Sequence, residues 1–310
     1  MSSVRAPLFL AGPTAVGKSA VALRLCKSLR AEIISVDSMQ VYRGMDIGTA
    51  KPTVDEREQV RHHLIDVVDL RSGFNAAKFC ALATEAVVTI QARGHRPLFC
   101  GGTGLYFRAW LDGLGTPPPA DPALRAQLNQ IPLPELMTEL TEKDPALAAT
   151  IDAMNRRRVV RAVEVIRLTG QAFSQQRASW KESSKPSTRP DFIYLRRGTE
   201  DLRRRMDARV EQMFKQGWVK ETRSLIGQGL LENPFAMQAI GYSQIIEMIQ
   251  EKRSEQDTMA WVKIRTHQFA KRQSTWFRGQ SAATMLDLVP DESPQTTADR
   301  LAEIWALATD

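Results

Sequence analysis

The sequence predicts an α/β fold: a parallel sheet flanked by helices, with an inserted all-helical subdomain. Three observations carry this. Through Trp110, short apolar runs alternate with helical patterns. Between two proline-rich breaks, Thr116–Pro122 and Glu182–Pro190, the periodicity is helical throughout. The chain then returns to one more apolar run, Phe192-Ile-Tyr-Leu195. Strands that alternate with helices form parallel sheets covered on both faces, and their residues are apolar without alternation.

Taken in order, Leu8-Phe-Leu-Ala11 reads as a strand, followed by a glycine-rich turn and a helix from Ser19 to Leu29. Glu32-Ile-Ile-Ser-Val36 is a second strand and His63-Leu-Ile-Asp-Val-Val68 a third. A helix over Ala76–Arg93 leads to Pro97-Leu-Phe-Cys100 and the turn Gly101-Gly-Thr-Gly104. In the insertion, Asp121-Pro122 pairs an N-cap with a proline at the first helical position. Leu136/Leu140 and Leu147/Ile151 are i,i+4 pairs, and Val159/Val163/Ile166 continue a helical stripe. The reading is therefore a core over 1–115, a helical insertion over 116–190, and the rest of the core with C-terminal helices over 191–310. Everything after Leu195 reads as helix.

Composition excludes several classes. The chain has 310 residues, 43% hydrophobic and 25% charged, unlike a disordered or collagenous protein. No apolar run approaches the roughly 18–20 residues of a membrane span, and the N-terminus lacks signal-peptide architecture. Cys26, Cys80 and Cys100 are far apart with no Cys-x-x-Cys, which predicts neither disulfides nor a zinc finger and fits a reducing cytoplasm. The formal charge of +7 points to a polyanionic partner. Two stretches concentrate it. Arg156, Arg157, Arg158 and Arg161 lie in the insertion, the last three on one helical arc. From Trp261 to Gln280 there are five lysines and arginines and no acid. Val262, Phe269 and Trp276 recur there every seven residues as a buried spine. The two basic helices suit phosphate backbones; a solvated arginine face is the plain alternative.

Gly12-Pro13-Thr14-Ala15-Val16-Gly17-Lys18-Ser19 matches G-x-x-x-x-G-K-[ST] between a strand and a helix. Backbone N–H groups in such a loop wrap an oligophosphate, Lys18 adds a full charge and the Ser19 hydroxyl suits Mg²⁺. The motif specifies a diphosphate-like group and does not by itself specify ATP. The acid that orients the metal in ordinary NTPases is missing after Pro97–Cys100, leaving Asp66 or Asp69 as substitutes. Asp37 ends the second strand, on the edge that faces ligands, where a carboxylate can take a proton or cap a turn. Gly44–Pro52 and Gly101–Gly104 are loops suited to close approach to a ligand, or plain surface turns.

Assembled, these motifs resemble the tRNA dimethylallyltransferase family. The resemblance rests on Gly12–Ser19, Asp37-Ser-Met-Gln-Val-Tyr42, Gly44-Met-Asp-Ile-Gly-Thr-Ala-Lys-Pro52, Gly101-Gly-Thr-Gly-Leu-Tyr106, Arg158 with Arg161-Ala-Val-Glu164, Gly241-Tyr242 and Lys271-Arg-Gln-Ser-Thr-Trp276, in family order over nearly the whole chain. It implies a P-loop kinase-like core, a bacterial cytoplasmic monomer and Mg²⁺. It also implies transfer of dimethylallyl from dimethylallyl diphosphate to N6 of adenosine 37 in the anticodon stem-loop of tRNAs reading UNN codons. By resemblance Asp37 and Thr103 are catalytic, and the loop from Gly12 to Ser19 with Arg209 holds the diphosphate. The implied tRNA-contacting residues are Asp37, Ser38, Met39, Gln40, Thr103, Arg125, Arg157, Arg158, Val159, Val160 and Arg161. They continue with Gln238, Ala239, Ile240, Gly241, Tyr242 and Ser243, and with Lys271, Arg272, Gln273, Ser274, Thr275, Trp276, Phe277 and Arg278. Ser243 stands where the family usually carries a basic residue. A small-molecule kinase shares the P-loop and Asp37 but has no use for an acid-free helix. An RNA-stimulated NTPase would need the missing acid.

Overall fold

The computed structural model describes residues 5–176, 189–280 and 282–307. In chain order these form β1 (Leu8–Ala11), α1 (Lys18–Leu29), β2 (Ala31–Val36), α2 (Val54–Gln59), β3 (His62–His63), α3 (Ala76–Ala92), β4 (Arg96–Gly101) and α4 (Gly104–Asp112). Next come α5 (Pro122–Leu128), α6 (Leu133–Lys143), α7 (Pro145–Ala148), α8 (Arg156–Thr169), α9 (Phe173–Gln176) and β5 (Arg189–Arg196). The chain closes with α10 (Thr199–Lys215), α11 (Trp218–Gly227), α12 (Tyr242–Ile249), α13 (Glu255–Gln280), β6 (Ala283–Asp287) and α14 (Pro294–Leu307). No helix among the described residues is long and apolar enough to cross a membrane. Two compact units result, Met1–Phe107 with Lys185–Asp310, and Arg108–Ser184. The second proline-rich break lies outside the described residues through position 188.

The larger unit is built on a sheet in the order β3-β2-β4-β1-β5-β6, every pair parallel. Its strands are apolar on both faces because both are covered. Leu8, Leu10, Ile33, Leu98 and Ile193 face α1 and α14, where Trp305 fills the layer. The alternate residues make an aromatic layer: Phe9 stacks on Phe99 at 5.1 Å, Phe107 lies 5.0 Å from Phe192, and Tyr194 lies 4.5 Å from Phe277 of α13.

The structure corrects three readings. The third strand is only His62–His63, with an isolated bridge between Tyr42 and Val68. Leu64 and Asp66 take left-handed φ of 62° and 56°, and Asp66 turns to pair with Lys51 and Arg57. A sixth strand, β6, extends the sheet edge beyond β5, where only helix was expected. On α13 the buried stripe is Thr258, Val262, Ala270, Gln273 and Phe277. Of the spine read from the seven-residue spacing, Val262 lies in this stripe, whereas Phe269 is 36% exposed and Trp276 is half-buried at its rim.

In the smaller unit, α5–α8 enclose Leu128, Leu136, Leu140, Leu147, Val159, Val163 and Ile166. Asp121 caps α5, accepting from Ala123 and Leu124 N–H, with Pro122 at the first helical position as the sequence predicts. Glu164 is fully buried in this core. It accepts from Asp121 N–H (2.8 Å), Arg125 (2.9 Å) and Arg161 (2.6 Å). Burial opposes its charge, but the two guanidiniums and the backbone donor outweigh it and hold its carboxyl below the ordinary value.

Glu32 does the same at the amino edge of the sheet. It is 3% exposed and accepts from Arg93 (2.6 and 2.9 Å), with His63 (2.7 Å) and His95 (2.8 Å) against the same carboxylate. Burial pushes its carboxyl up, but these partners bring it down to about 2. The unfolded value is roughly 4.3, so the ionised form stabilises the fold fully above that pH and loses its contribution as pH falls through about 2. Glu32→Gln is therefore expected to lower the melting temperature most near neutral pH, with a deficit that narrows between about pH 4 and pH 2. A deficit independent of pH would assign the loss to shape rather than charge.

Candidate active site

Parallel register fixes where the functional loops leave the sheet. Ala11 pairs with Gly101, and Gly101 with Val36, so the carboxyl ends of β1, β4 and β2 lie in one row. Gly12, Gly102 and Asp37 are the next residues of the three strands. This is the edge at which open parallel sheets bind ligands. The row closes tightly because Gly101 lacks a side chain; a Cβ there would overlap the carbonyl of Val36.

The loop from Gly12 to Ser19 has the geometry its sequence requires. Gly12 lies under Val16, where a Cβ would come within 2.7 Å of Val16 Cγ1. Ala15 and Gly17 take positive φ (63° and 107°), an alternation of backbone hand that suits an anion-binding nest, while Val16 N–H folds back to Pro13 O at 3.4 Å. Val16 anchors the loop in the core, and Pro13 provides the carbonyl that accepts from Lys18 Nζ at 3.3 Å. Ser19 is exposed in the first turn of α1. Thr14 N–H donates within the protein, to Gln273 Oε1 at 3.0 Å. Arg197 braces the loop from behind, donating to Val16 O at 2.9 Å.

Beside the loop, Gly102 and Thr103 N–H donate to Val36 O (3.2 and 3.1 Å), and Ser38 N–H donates to Thr103 Oγ1 at 3.2 Å. Asp37 and Thr103 thus share one local network. Asp37 is half-buried, and its Oδ1 accepts from Met39 N–H (2.8 Å) and Gln40 N–H (3.3 Å), leaving Oδ2 outside that turn. Gln40 is spent internally. Its amide nitrogen donates to Thr49 O and Ala50 O, both at 3.2 Å, and its oxygen accepts from Ser35 Oγ at 2.9 Å.

Electrostatics join Lys18, Asp37 and Arg209. Burial lowers the Lys18 ammonium from its usual value, partly offset by Cys100 and Asp37, with Arg209 repelling it. Burial likewise lowers Arg209, and Asp37 supports its charge. Burial pushes the Cys100 thiol up to about 11, against the pull of Lys18. Two partly desolvated cations within the field of one carboxylate favour an anionic ligand, whose charge would relieve both.

Of the two acids considered as metal-orienting, Asp66 pairs with Lys51 and Arg57, and Asp69 with Arg43. Among the described residues no cluster of three His, Cys, Asp or Glu would hold a cation. Arg125 and Arg161 converge on Glu164, and Arg161 also donates to Pro118 O at 2.6 Å, so both are braces of the insertion. Arg156 donates to the Leu128, Asn129 and Ile131 carbonyls. Arg157 and Arg158 are exposed, whereas Val159 and Val160 are buried in the insertion core. Ala239, Tyr242, Gln273 and Phe277 are also buried, so their side chains face the protein. Gln238 is exposed; Ile240 and Ser243 are half-buried, and Gly241 is buried under Trp218. Lys271, Arg272, Thr275 and Arg278 are exposed, with Ser274 and Trp276 half-buried beside them. A cavity lies on this outward side of α13, lined by Gln268, Lys271, Arg272, Thr275 and Trp276.

Glu221 is absent from the sequence-based site. It accepts the N–H groups of Asp46 (3.0 Å), Ile47 (2.6 Å) and Gly48 (3.2 Å), and the hydroxyl of Tyr242 (2.7 Å). One carboxylate on α11 thereby ties down the Gly44–Pro52 loop, and Trp218 fills the space a side chain on Gly48 would occupy. No motif surrounds Glu221, and only the folded chain brings it to the loop.

A family model described as IPP transferase matches residues 40–280. The tRNA dimethylallyltransferase of Corynebacterium diphtheriae is 38% identical over 295 residues, covering 94% of this chain and 97% of its own. That of Levilactobacillus brevis is 39% identical over 305 residues, covering 96% and 97%. The full-length tRNA isopentenylpyrophosphate transferase of Bacillus halodurans has a similar crystal structure, with a TM-score of 0.67 and 35% identity over 99% of this chain and 100% of that one. A eukaryotic dimethylallyltransferase, captured acting on tRNA, aligns with a TM-score of 0.77 at 26% identity over 96% of this chain and 77% of that one.

The row of strand ends is testable at its tightest point. In Gly101→Ala the new methyl meets backbone, which cannot rotate away. The expected loss is about 3 kcal/mol of stability, read from the denaturant midpoint. A midpoint equal to that of the unsubstituted chain would show that β2 and β4 part without cost.

Proposed function

The chain belongs to the IPP transferase family, and we propose that it transfers a dimethylallyl group from dimethylallyl diphosphate to N6 of adenosine 37 in tRNAs reading UNN codons. The observation that carries this reading is the single row of strand ends. It brings the loop that carries Lys18 beside a carboxylate, Asp37, and a hydroxyl, Thr103, which supports a diphosphate donor at this edge.

Displacement at an allylic carbon needs a stabilised leaving group and a positioned nitrogen. The N6–C1 bond forms as the C1–O bond to diphosphate breaks. Lys18, Arg209 and the loop N–H groups receive the charge that develops on the leaving oxygen. The N6 proton passes to Asp37, whose Oδ2 lies outside the turn that holds Oδ1. Thr103 Oγ1, which accepts Ser38 N–H at 3.2 Å, would orient the amine. Adenine offers its N6 only when unstacked, so the base is turned out of the anticodon loop. A bound Mg²⁺ would be held by Ser19 Oγ, exposed in the first turn of α1, and would neutralise charge developing on the leaving group. The exposed cations of the two basic helices, Arg157 and Arg158 on α8 and Lys271, Arg272 and Arg278 on α13, take the phosphates. The reading includes a monomer working in the cytoplasm.

Asp37→Ala is expected to leave tRNA affinity within a few-fold but to lower turnover by roughly 10²–10⁴. Near-normal single-turnover rates would remove Asp37 from the mechanism. The double change Arg158→Ala with Lys271→Ala is expected to flatten the slope of log K against log salt for tRNA binding by about 1.4, two single-strand phosphate contacts. Parallel salt titrations of the double variant and the unsubstituted chain would sink the phosphate role of both side chains.

A further inference from the structure

Gln273 lies on α13 between exposed cations, yet its own side chain is buried, at 8% exposure. Its Oε1 accepts Thr14 N–H at 3.0 Å, and its Nε2 donates to Gly102 O at 3.0 Å. The absence of a side chain on Gly102 admits this amide, because a Cβ there would overlap Nε2. Three residues on, Trp276 occupies the space above Gly104 in the same way. The basic helix therefore reaches into the gap between the phosphate loop and the turn that carries Thr103, and closes it with one group. A primary amide is suited to this: it offers an acceptor to one backbone and a donor to the other without burying a charge.

We infer that Gln273 is a positioning residue for the transfer. By clamping Thr14 to Gly102 it fixes the spacing between the leaving-group cradle and the Thr103–Asp37 network. The inference rests on the proposed transfer and adds a residue that touches neither substrate. Its expected weight follows from geometry, since a misplacement of about 1 Å costs on the order of 10²-fold in rate.

Two variants test it. Gln273→Met keeps length and loses both hydrogen bonds. Gln273→Glu keeps the acceptor for Thr14 N–H, but its carboxylate has no proton to give Gly102 O. The measurements are single-turnover transfer at saturating dimethylallyl diphosphate and tRNA, binding of inorganic diphosphate, binding of tRNA, and melting temperature. The Met variant is expected to slow transfer by about 30- to 100-fold, with both affinities within about 3-fold. For the Glu variant, the rate ratio of wild type to variant is expected to fall as pH is lowered, because the protonated carboxyl donates again. A merely structural role would leave that ratio flat. A Met variant within about 3-fold of wild type, or a flat Glu ratio, overturns the inference. If the Met variant does not fold, the Glu series decides alone. A tRNA affinity lost while saturated transfer is unchanged makes Gln273 a contact residue and also overturns it. If the wild type itself binds diphosphate but forms no prenylated tRNA, the transfer reading falls and takes the inference with it.

Discussion

With Ala11, Gly101 and Val36 level across three parallel strands, the chain has no freedom over where its working loops begin. Each loop leaves the sheet at the same height and must find its own way to turn. The first uses positive φ at Ala15 and Gly17, the second uses Asp37 to cap its own backbone, and the third borrows Val36 O for two successive N–H groups. The site is thus an outcome of register first and side chains second. A slip of one residue between β2 and β4 would move Asp37 relative to Thr103 by a full pleat.

Acids and cations are distributed to match. Three carboxylates each gather several donors: Glu32 at the amino edge of the sheet, Glu164 in the insertion and Glu221 under the Gly44–Pro52 loop. They hold chain segments together through hydrogen bonds within the protein. At the opposite edge Lys18 and Arg209 remain partly desolvated around one aspartate. The same separation explains why a basic composition overstates the charge offered to a polyanion. Arg125 and Arg161 are consumed by Glu164, and Arg156 by the carbonyl end of α5.

Much of this was legible in the sequence. The strands of the sheet interior were, because burial on both faces leaves uninterrupted apolar runs such as Leu8–Ala11 and Pro97–Cys100. The phosphate loop was, because its glycine spacing encodes its backbone. The short third strand was not: Leu64 and Asp66 leave the extended region to satisfy Lys51 and Arg57, partners set by tertiary structure. β6 was hidden because an edge strand is paired on one side and needs little apolar length. The internal roles of Gln40, Gln273 and Glu221 were invisible, since a polar side chain in a motif looks the same whether it meets a ligand or a backbone 171 residues away, as Gln273 does at Gly102.

Among the described residues, the apolar cluster of the insertion is made of residues within Arg108–Ser184, and the cluster under α1 and α14 of residues in the other unit. Distant sites with no shared partners tolerate substitution additively. Each core is therefore a separate reservoir for mutational drift. A substitution in the helical cluster meets a demand on volume, whereas one at Gly101 meets a demand on strand register as well.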